Sequence, residues 1–168
     1  MSEVAYIGVG GNVGGQAAVI AAIVAALEAL RCTPGVCSVV ASPVYASAAW
    51  GHVEQPPFVN AVFAVETTLD PCALLRVLKR LEQKLGRRET TRWGPRVIDL
   101  DVLLHGERRW ESDELVVPHA YLLNRAFAYL PLLDLNPEAR LPSGALLRVA
   151  VAGRAVPTGL ARMAAVIE

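Results

Sequence analysis

"FVNAVFAVETTLDPCALLRVLKRLEQKLG", residues 58–86, changes its periodicity once. Up to Thr68 it alternates. Val59, Ala61, Phe63 and Val65 fall on one face of an extended chain, and Phe58, Asn60 and Val62 on the other. Asp70-Pro71 ends that pattern and starts a helix, with Asp as the N-cap and Pro at the first helical position. Leu74, Leu75, Leu78 and Leu81 then recur at helical spacing as far as Gly86, a natural stop. A strand feeding an amphipathic helix is a unit that needs a partner, because neither apolar face can be buried alone.

The partner lies upstream. "VAYIGVG" reads as a buried strand, Val4 to Val9, and "GGNVGG" as a tight glycine turn. "QAAVIAAIVAALEAL" follows, with Val19, Ile20, Ile23, Val24, Leu27 and Leu30 on one helical stripe, ended by Pro34 and Gly35. A second strand is expected from Val36 to Tyr45, then a long loop, "ASAAWGHVEQPP". Downstream of Gly86, "RRETTRWGPR" is polar and aperiodic, an exposed loop, and "VIDLDVLL" is the fourth strand. The order is βαββαβ, the pattern of a ferredoxin-like α+β domain. Its antiparallel sheet carries helices on one face and leaves the other for a ligand, under loops. C-terminal additions follow. "DELVVPHAYLLNR" suggests a short strand and a turn, "AFAYLPLLDL" a short helix limited by Pro131, and the Gly- and Pro-rich tail has no assignment. Residues 1–168 fit one domain with a full core.

Lys+Arg and Asp+Glu are both 16, so the formal net charge is zero. That disfavours a general nucleic-acid or membrane-surface protein. Cys32, Cys37 and Cys72 fit neither a disulfide framework nor a zinc site. The N-terminus has no basic, apolar leader, and the apolar run from Ala17 to Leu30 is too short to span a bilayer. A cytoplasmic location is the expectation.

The chemistry concentrates in "RWGPRVIDLDVLL", residues 92–104. Asp99 and Asp101 share one face of the strand, their Cα atoms roughly 6.6 Å apart at about 3.3 Å per residue, while Ile98, Leu100 and Val102 take the other. Two carboxylates so close repel, and a cation between them removes the cost. Mg²⁺ takes one or two carboxylates and leaves its other positions to water and phosphate. Alone, the pair also suits a wetted strand face. Arg87, Arg88, Arg92 and Arg96 alter the balance, because guanidinium groups pair bidentately with phosphate oxygens. The simpler alternative is that they pair only with Asp99, Asp101 and Glu89. No P-loop is present. His119 and Arg125 are further phosphate contacts by residue type, and Phe58 and Phe127 suit stacking on a flat ring whose edge Asn60 would read.

Three segments, "QPPFVNAV", "RWGPRVIDLDVLL" and "VPHAYLLNRAF", occur in the order and at the distances of one family. The chain resembles the 6-hydroxymethyl-7,8-dihydropterin pyrophosphokinases of folate biosynthesis, from "AYIGVGGNVG" to about Gly144. The resemblance implies a ferredoxin-like fold and transfer of the terminal pyrophosphate of ATP to the pterin hydroxymethyl group, with release of AMP. It implies two Mg²⁺ ions on Asp99 and Asp101. It assigns Arg87 and Arg96 to the β- and γ-phosphates, as catalytic groups with the two aspartates. ATP would also meet Glu82, Trp93, Val102, His119 and Arg125. The pterin would lie between Phe58 and Phe127, its edge read by Asn60, by Ser47, Ala48 and Trp50, with Trp93 in the closing loop. A cytoplasmic monomer with small-molecule substrates, and with neither nucleic acid nor membrane as partner, completes the expectation. Four positions depart from the family pattern. Gly11 replaces a Ser, Glu89 a basic residue, Ala120 an aromatic and Glu114 a base found in some members. Trp50 is larger than the usual residue of the pterin pocket.

Overall fold

The structure is a computed structural model that describes residues 1–48, 55–86, 95–165 and 167. Its strands and helices run β1 (Glu3–Gly11), α1 (Gln16–Arg31), β2 (Val36–Ala41), β3 (Tyr45–Ser47), β4 (Phe58–Thr67), α2 (Pro71–Lys84) and β5 (Asp99–His105). After these come β6 (Trp110–Glu111), β7 (Val116–Val117), a 3-10 turn (Leu122–Asn124), α3 (Ala126–Leu135), α4 (Leu147–Ala150) and β8 (Ala161–Arg162). The sheet order is β5-β1-β4-β3-β8, and every pairing is antiparallel. This is the ferredoxin-like arrangement expected from the pattern.

The second strand differs from its sequence reading. It is broken into β2, which pairs with Phe63–Thr67 of β4, and β3, which pairs with Phe58–Asn60. Pro43 has no N–H to give to the ladder, so the extended run cannot continue through it. Ser42 bridges the gap. Its N–H donates to the Val62 carbonyl at 2.8 Å, and its hydroxyl oxygen accepts from the Val62 N–H at 2.8 Å.

β1 is longer than expected and runs through Gly10 and Gly11. These two are strand residues, not turn residues, because neighbouring groups pass too close for a side chain. A Cβ on Gly10 would lie 2.5 Å from Asn60 Oδ1, and one on Gly11 would lie 2.4 Å from the Val97 carbonyl oxygen. Positive φ begins only at Gly14 and Gly15, which lead into α1.

α1 and α2 cover one face of the sheet. Val19, Ile23 and Leu27 of α1 and Leu74 and Leu78 of α2 pack on Ile7, Val9, Phe63, Val65, Ile98 and Leu100. Asp70 caps α2 by accepting the Ala73 N–H at 2.8 Å. The expectation that the second face holds only loops and ligand needs amending. α3 and α4 close half of it over Tyr6, Val62, Leu103 and Leu104. α3 also runs through Pro131 to Leu135 rather than ending there. The proline removes one helical bond, to the Phe127 carbonyl, and burial of Ala128, Tyr129 and Leu132 against the sheet offsets that loss. Among the described residues no helix is long and apolar enough to cross a membrane.

Candidate active site

The uncovered half of the second face is floored by one row across three strands. Antiparallel register sets Asp99 of β5 opposite Gly10 of β1, and Gly10 opposite Asn60 of β4. One step along, Asp101 faces Gly8. Residues directly opposite point the same way, so both aspartates and Asn60 stand on one face with only glycine between them. The two carboxylates are partly exposed. Among the described residues no group of three His, Cys, Asp or Glu side chains assembles around a metal position. The candidate donors on this face, among the described residues, are Asp99 and Asp101. Hard oxygen donors with open space beside them suit Mg²⁺, whose other positions would be taken by water and phosphate.

Arg96 forms an ion pair with Asp99. Its backbone is fixed from elsewhere, by Asn12. The Asn12 carboxamide oxygen accepts the Arg96 N–H at 2.9 Å, and the Asn12 N–H donates to the Arg96 carbonyl at 2.9 Å. The same side chain donates to Gln55 Oε1 at 3.1 Å and to the Pro56 carbonyl at 3.3 Å. Asn12 is 1% exposed. It thus ties the start of the segment that carries Asp99 and Asp101 to the segment that leads into Phe58 and Asn60. Sequence reading assigned it only to a turn; its partners are remote in the chain, so no local pattern announces it.

On the other flank, the His119 N–H donates to the Leu103 carbonyl at 2.9 Å, at the bulge where β5 shifts register against β1. His119 Nδ1 accepts the Tyr121 N–H at 3.1 Å, which leaves the ring proton of neutral His119 on Nε2. Burial lowers the His119 pKa from 6.5. Asp101 opposes that shift, Arg125 adds to it and Asp99 opposes it. The imidazole is accordingly a neutral donor near the aspartates. The Arg125 guanidinium carbon lies 4.9 Å from the Tyr121 ring centre and 5.8 Å from that of Phe127.

Beside the aspartates is a cavity of about 220 Å³ lined by Leu75, Lys79, Asp101, Val102, Glu114 to Val116 and His119 to Tyr121. Val102 and His119 are expected at the nucleotide; Leu75 is expected only on the apolar stripe of α2, and Lys79 and Tyr121 carry no expectation. Glu82 is 1% exposed and lies behind this wall. Its carboxylate accepts the Leu100 N–H at 2.6 Å and receives Lys79 Nζ at 3.2 Å, so Lys79 is the member of that pair that reaches the cavity.

At the far end of the row, Asn60 Nδ2 donates to Ser47 Oγ at 3.0 Å, and both side chains are buried. Ala48 is exposed and Phe58 half-buried. Phe127 packs at the margin of the second core. Arg87, Arg88, Glu89, Arg92, Trp93 and Trp50 lie outside the described residues.

A family model described as 7,8-dihydro-6-hydroxymethylpterin-pyrophosphokinase matches residues 6–137. The 2-amino-4-hydroxy-6-hydroxymethyldihydropteridine pyrophosphokinase of Methylorubrum extorquens is 40% identical over 159 residues, covering 95% of this chain and 98% of that protein. The Pseudomonas aeruginosa protein of the same name is 42% identical over 144 residues, covering 86% of this chain and 87% of its own length. A Plasmodium falciparum HPPK-DHPS crystal structure superposes on 96% of this chain with a TM-score of 0.70 at 14% identity. The chain spans 49% of that longer protein, and the likeness there is one of fold.

Proposed function

The chain belongs to the 7,8-dihydro-6-hydroxymethylpterin-pyrophosphokinase family, and from that membership we propose that it transfers pyrophosphate from ATP to 6-hydroxymethyl-7,8-dihydropterin, a step of folate biosynthesis. The observation that carries this reading is the row Asp99–Gly10–Asn60 beside the Lys79–His119 cavity. It supplies a carboxylate platform for metal and phosphate, a pocket for a nucleoside on one side and a buried amide for a ring edge on the other.

In the reaction the pterin hydroxyl loses its proton to solvent and its oxygen forms a bond to the β-phosphorus of ATP. The bond from that phosphorus to the α,β-bridging oxygen breaks, and AMP leaves with the oxygen. Such transfers depend mainly on positioning and on neutralising charge. Asp99 and Asp101 would hold two Mg²⁺ ions, which when bound neutralise phosphate oxygens and favour the alkoxide of the attacking hydroxyl. Arg96 would leave its ion pair with Asp99 to meet phosphate, together with Arg87. His119, as a neutral Nε2–H donor, and Arg125 would hold the phosphate chain. The cavity between Val102 and Tyr121 would take the nucleoside, with Glu82 acting on it through Lys79, and Trp93 would close over both substrates. Phe58 and Phe127 would flank the pterin, while Asn60, oriented by Ser47, reads its edge beside Ala48 and Trp50. We take residues 1–168 to act as one domain and as a cytoplasmic monomer, independent of nucleic acid and membrane. A balanced charge supports this, as does the partial cover of two sheet edges, with β8 on Tyr45 and Ala46 of β3 and His119 bonded to Leu103 of β5.

The test is direct. Protein, Mg²⁺, ATP and the hydroxymethyl dihydropterin should yield AMP and a pterin diphosphate in equal amounts. Release of ADP, or no release of AMP, overturns the reading.

A further inference from the structure

Tyr121 is a large aromatic residue left 50% exposed, so core packing does not account for it. It is the N-cap of the 3-10 turn whose buried Leu122 anchors the segment, and it lines the cavity beside Asp101. Arg125 lies four residues on, with its guanidinium carbon 4.9 Å from the Tyr121 ring centre and 5.8 Å from that of Phe127. Both distances are within the range in which a ring face attracts a cation. Among the described residues no carboxylate lies within ion-pair distance of Arg125. A long, flexible arginine without a carboxylate partner would sample many rotamers and would lose that freedom on binding phosphate. Here two ring faces restrict it beforehand. Tyr121 lines the cavity beside Asp101 and Phe127 packs at the margin of the second core, so the guanidinium is held between the two.

We propose that Tyr121 is a positioning residue for ATP, acting through Arg125, whose guanidinium it orients by its ring face and not by its hydroxyl. The proposal rests on the pyrophosphokinase reading, and its test can be separated from it. Because Tyr121 is half exposed, its replacement should leave the fold intact, which thermal melting of each variant checks. The measurements are calorimetric binding of Mg·ATP to the full chain, and KM and kcat with the pterin.

Tyr121→Leu should weaken Mg·ATP binding, and raise the KM for ATP, by about two- to fivefold, the worth of an exposed cation–π contact. The KM for the pterin should stay unchanged. Tyr121→Phe should match the wild type. In an Arg125→Gln background, Tyr121→Leu should add no further loss. Wild-type affinity in Tyr121→Leu overturns the proposal. So does an equal loss in Tyr121→Phe, or a loss that persists without Arg125. If the wild type binds Mg·ATP but releases no AMP with the pterin, the proposed reaction fails and the binding data alone decide the role of Tyr121. If it binds no Mg·ATP, both fall.

Discussion

The two faces of β5 are built from alternate residues of one short segment, and they share almost nothing. Ile98, Leu100 and Val102 point to the helices and are buried with Ile7, Val9, Phe63 and Val65 in a continuous apolar layer. Asp99 and Asp101 point the other way, across glycines, to partly open space. Period 2 is enough to separate a face that stabilises from a face free for the proposed chemistry. The second face is itself divided. Where α3 and α4 cover it, Val62, Leu103 and Leu104 are apolar. Where no described helix covers it, the residues turn to Asp, Gly and Asn. Cover and chemistry alternate along the same strands.

Substitutions should respect that division. The largest effect is expected on the reactive face. Asp99→Asn and Asp101→Asn should each lower turnover by orders of magnitude while the melting temperature changes little, since both carboxylates are partly exposed and Asp99→Asn trades relief of repulsion for the loss of its ion pair with Arg96. Assays of AMP release alongside thermal melts would show it, and near-normal turnover in either variant removes the two-carboxylate platform. On the opposite face the pattern reverses. Phe63→Ala should cost about 3–5 kcal/mol in urea unfolding, with activity falling only as the folded fraction falls. An intermediate result is expected on the boundary. Gly10→Ala puts a Cβ 2.5 Å from Asn60 Oδ1 and 2.8 Å from the Val59 carbonyl oxygen, so the Asn60 side chain and the strand backbone must both shift. We expect a loss of about 1–3 kcal/mol, typical of overpacking, together with a raised KM for the pterin and a smaller change for ATP. A stability loss with both KM values unchanged would take Asn60 out of substrate recognition.

The smallest effect concerns the link between the two halves of the second face. Tyr45 pairs with Asn60 in the sheet, and its hydroxyl donates to Asp134 of α3 at 2.5 Å. Burial first, then the hydrogen bond to and negative charge of Asp134, push its pKa up from 10.0 to about 12, with Arg162 opposing. The native state therefore keeps this proton while the unfolded state loses it. The contribution is complete below pH 10.0 and is lost as pH rises toward about 12. Tyr45→Phe should flatten this part of the alkaline loss of stability, read by urea unfolding at a series of pH values. An unchanged alkaline slope would mean that other groups govern it.

Much of this was open to sequence reasoning because it depends on local period. The switch at Asp70-Pro71, the apolar stripes of α1 and α2 and the shared face of Asp99 and Asp101 are each contained within a single element. What escaped depends on parts that meet only on folding. Gly10 and Gly11 look like a turn in the chain, but they are strand residues kept bare by Asn60 and Val97. The proposed second strand passed over Pro43 because Ser42 could not be seen to stand in for the missing ladder bond. Asn12 joins Arg96 to Gln55 and Pro56 across large sequence separations. Tyr121 was passed over because an exposed aromatic residue acquires meaning only when a cation is found against it.

The bare lane between Asp99 and Asn60 also acts as a ruler. Two strand spacings separate those residues, about 9.5 Å at the usual repeat of a sheet, and backbone hydrogen bonds hold both intervals. Side-chain changes on either side can tighten or loosen a substrate, but none can lengthen the span. The distance between the Asp99 and Asn60 positions, the proposed phosphate platform and ring reader, is thus metered by the main chain. If Asp99 and Asn60 act as proposed, a molecule of the wrong length would fail to reach both of them.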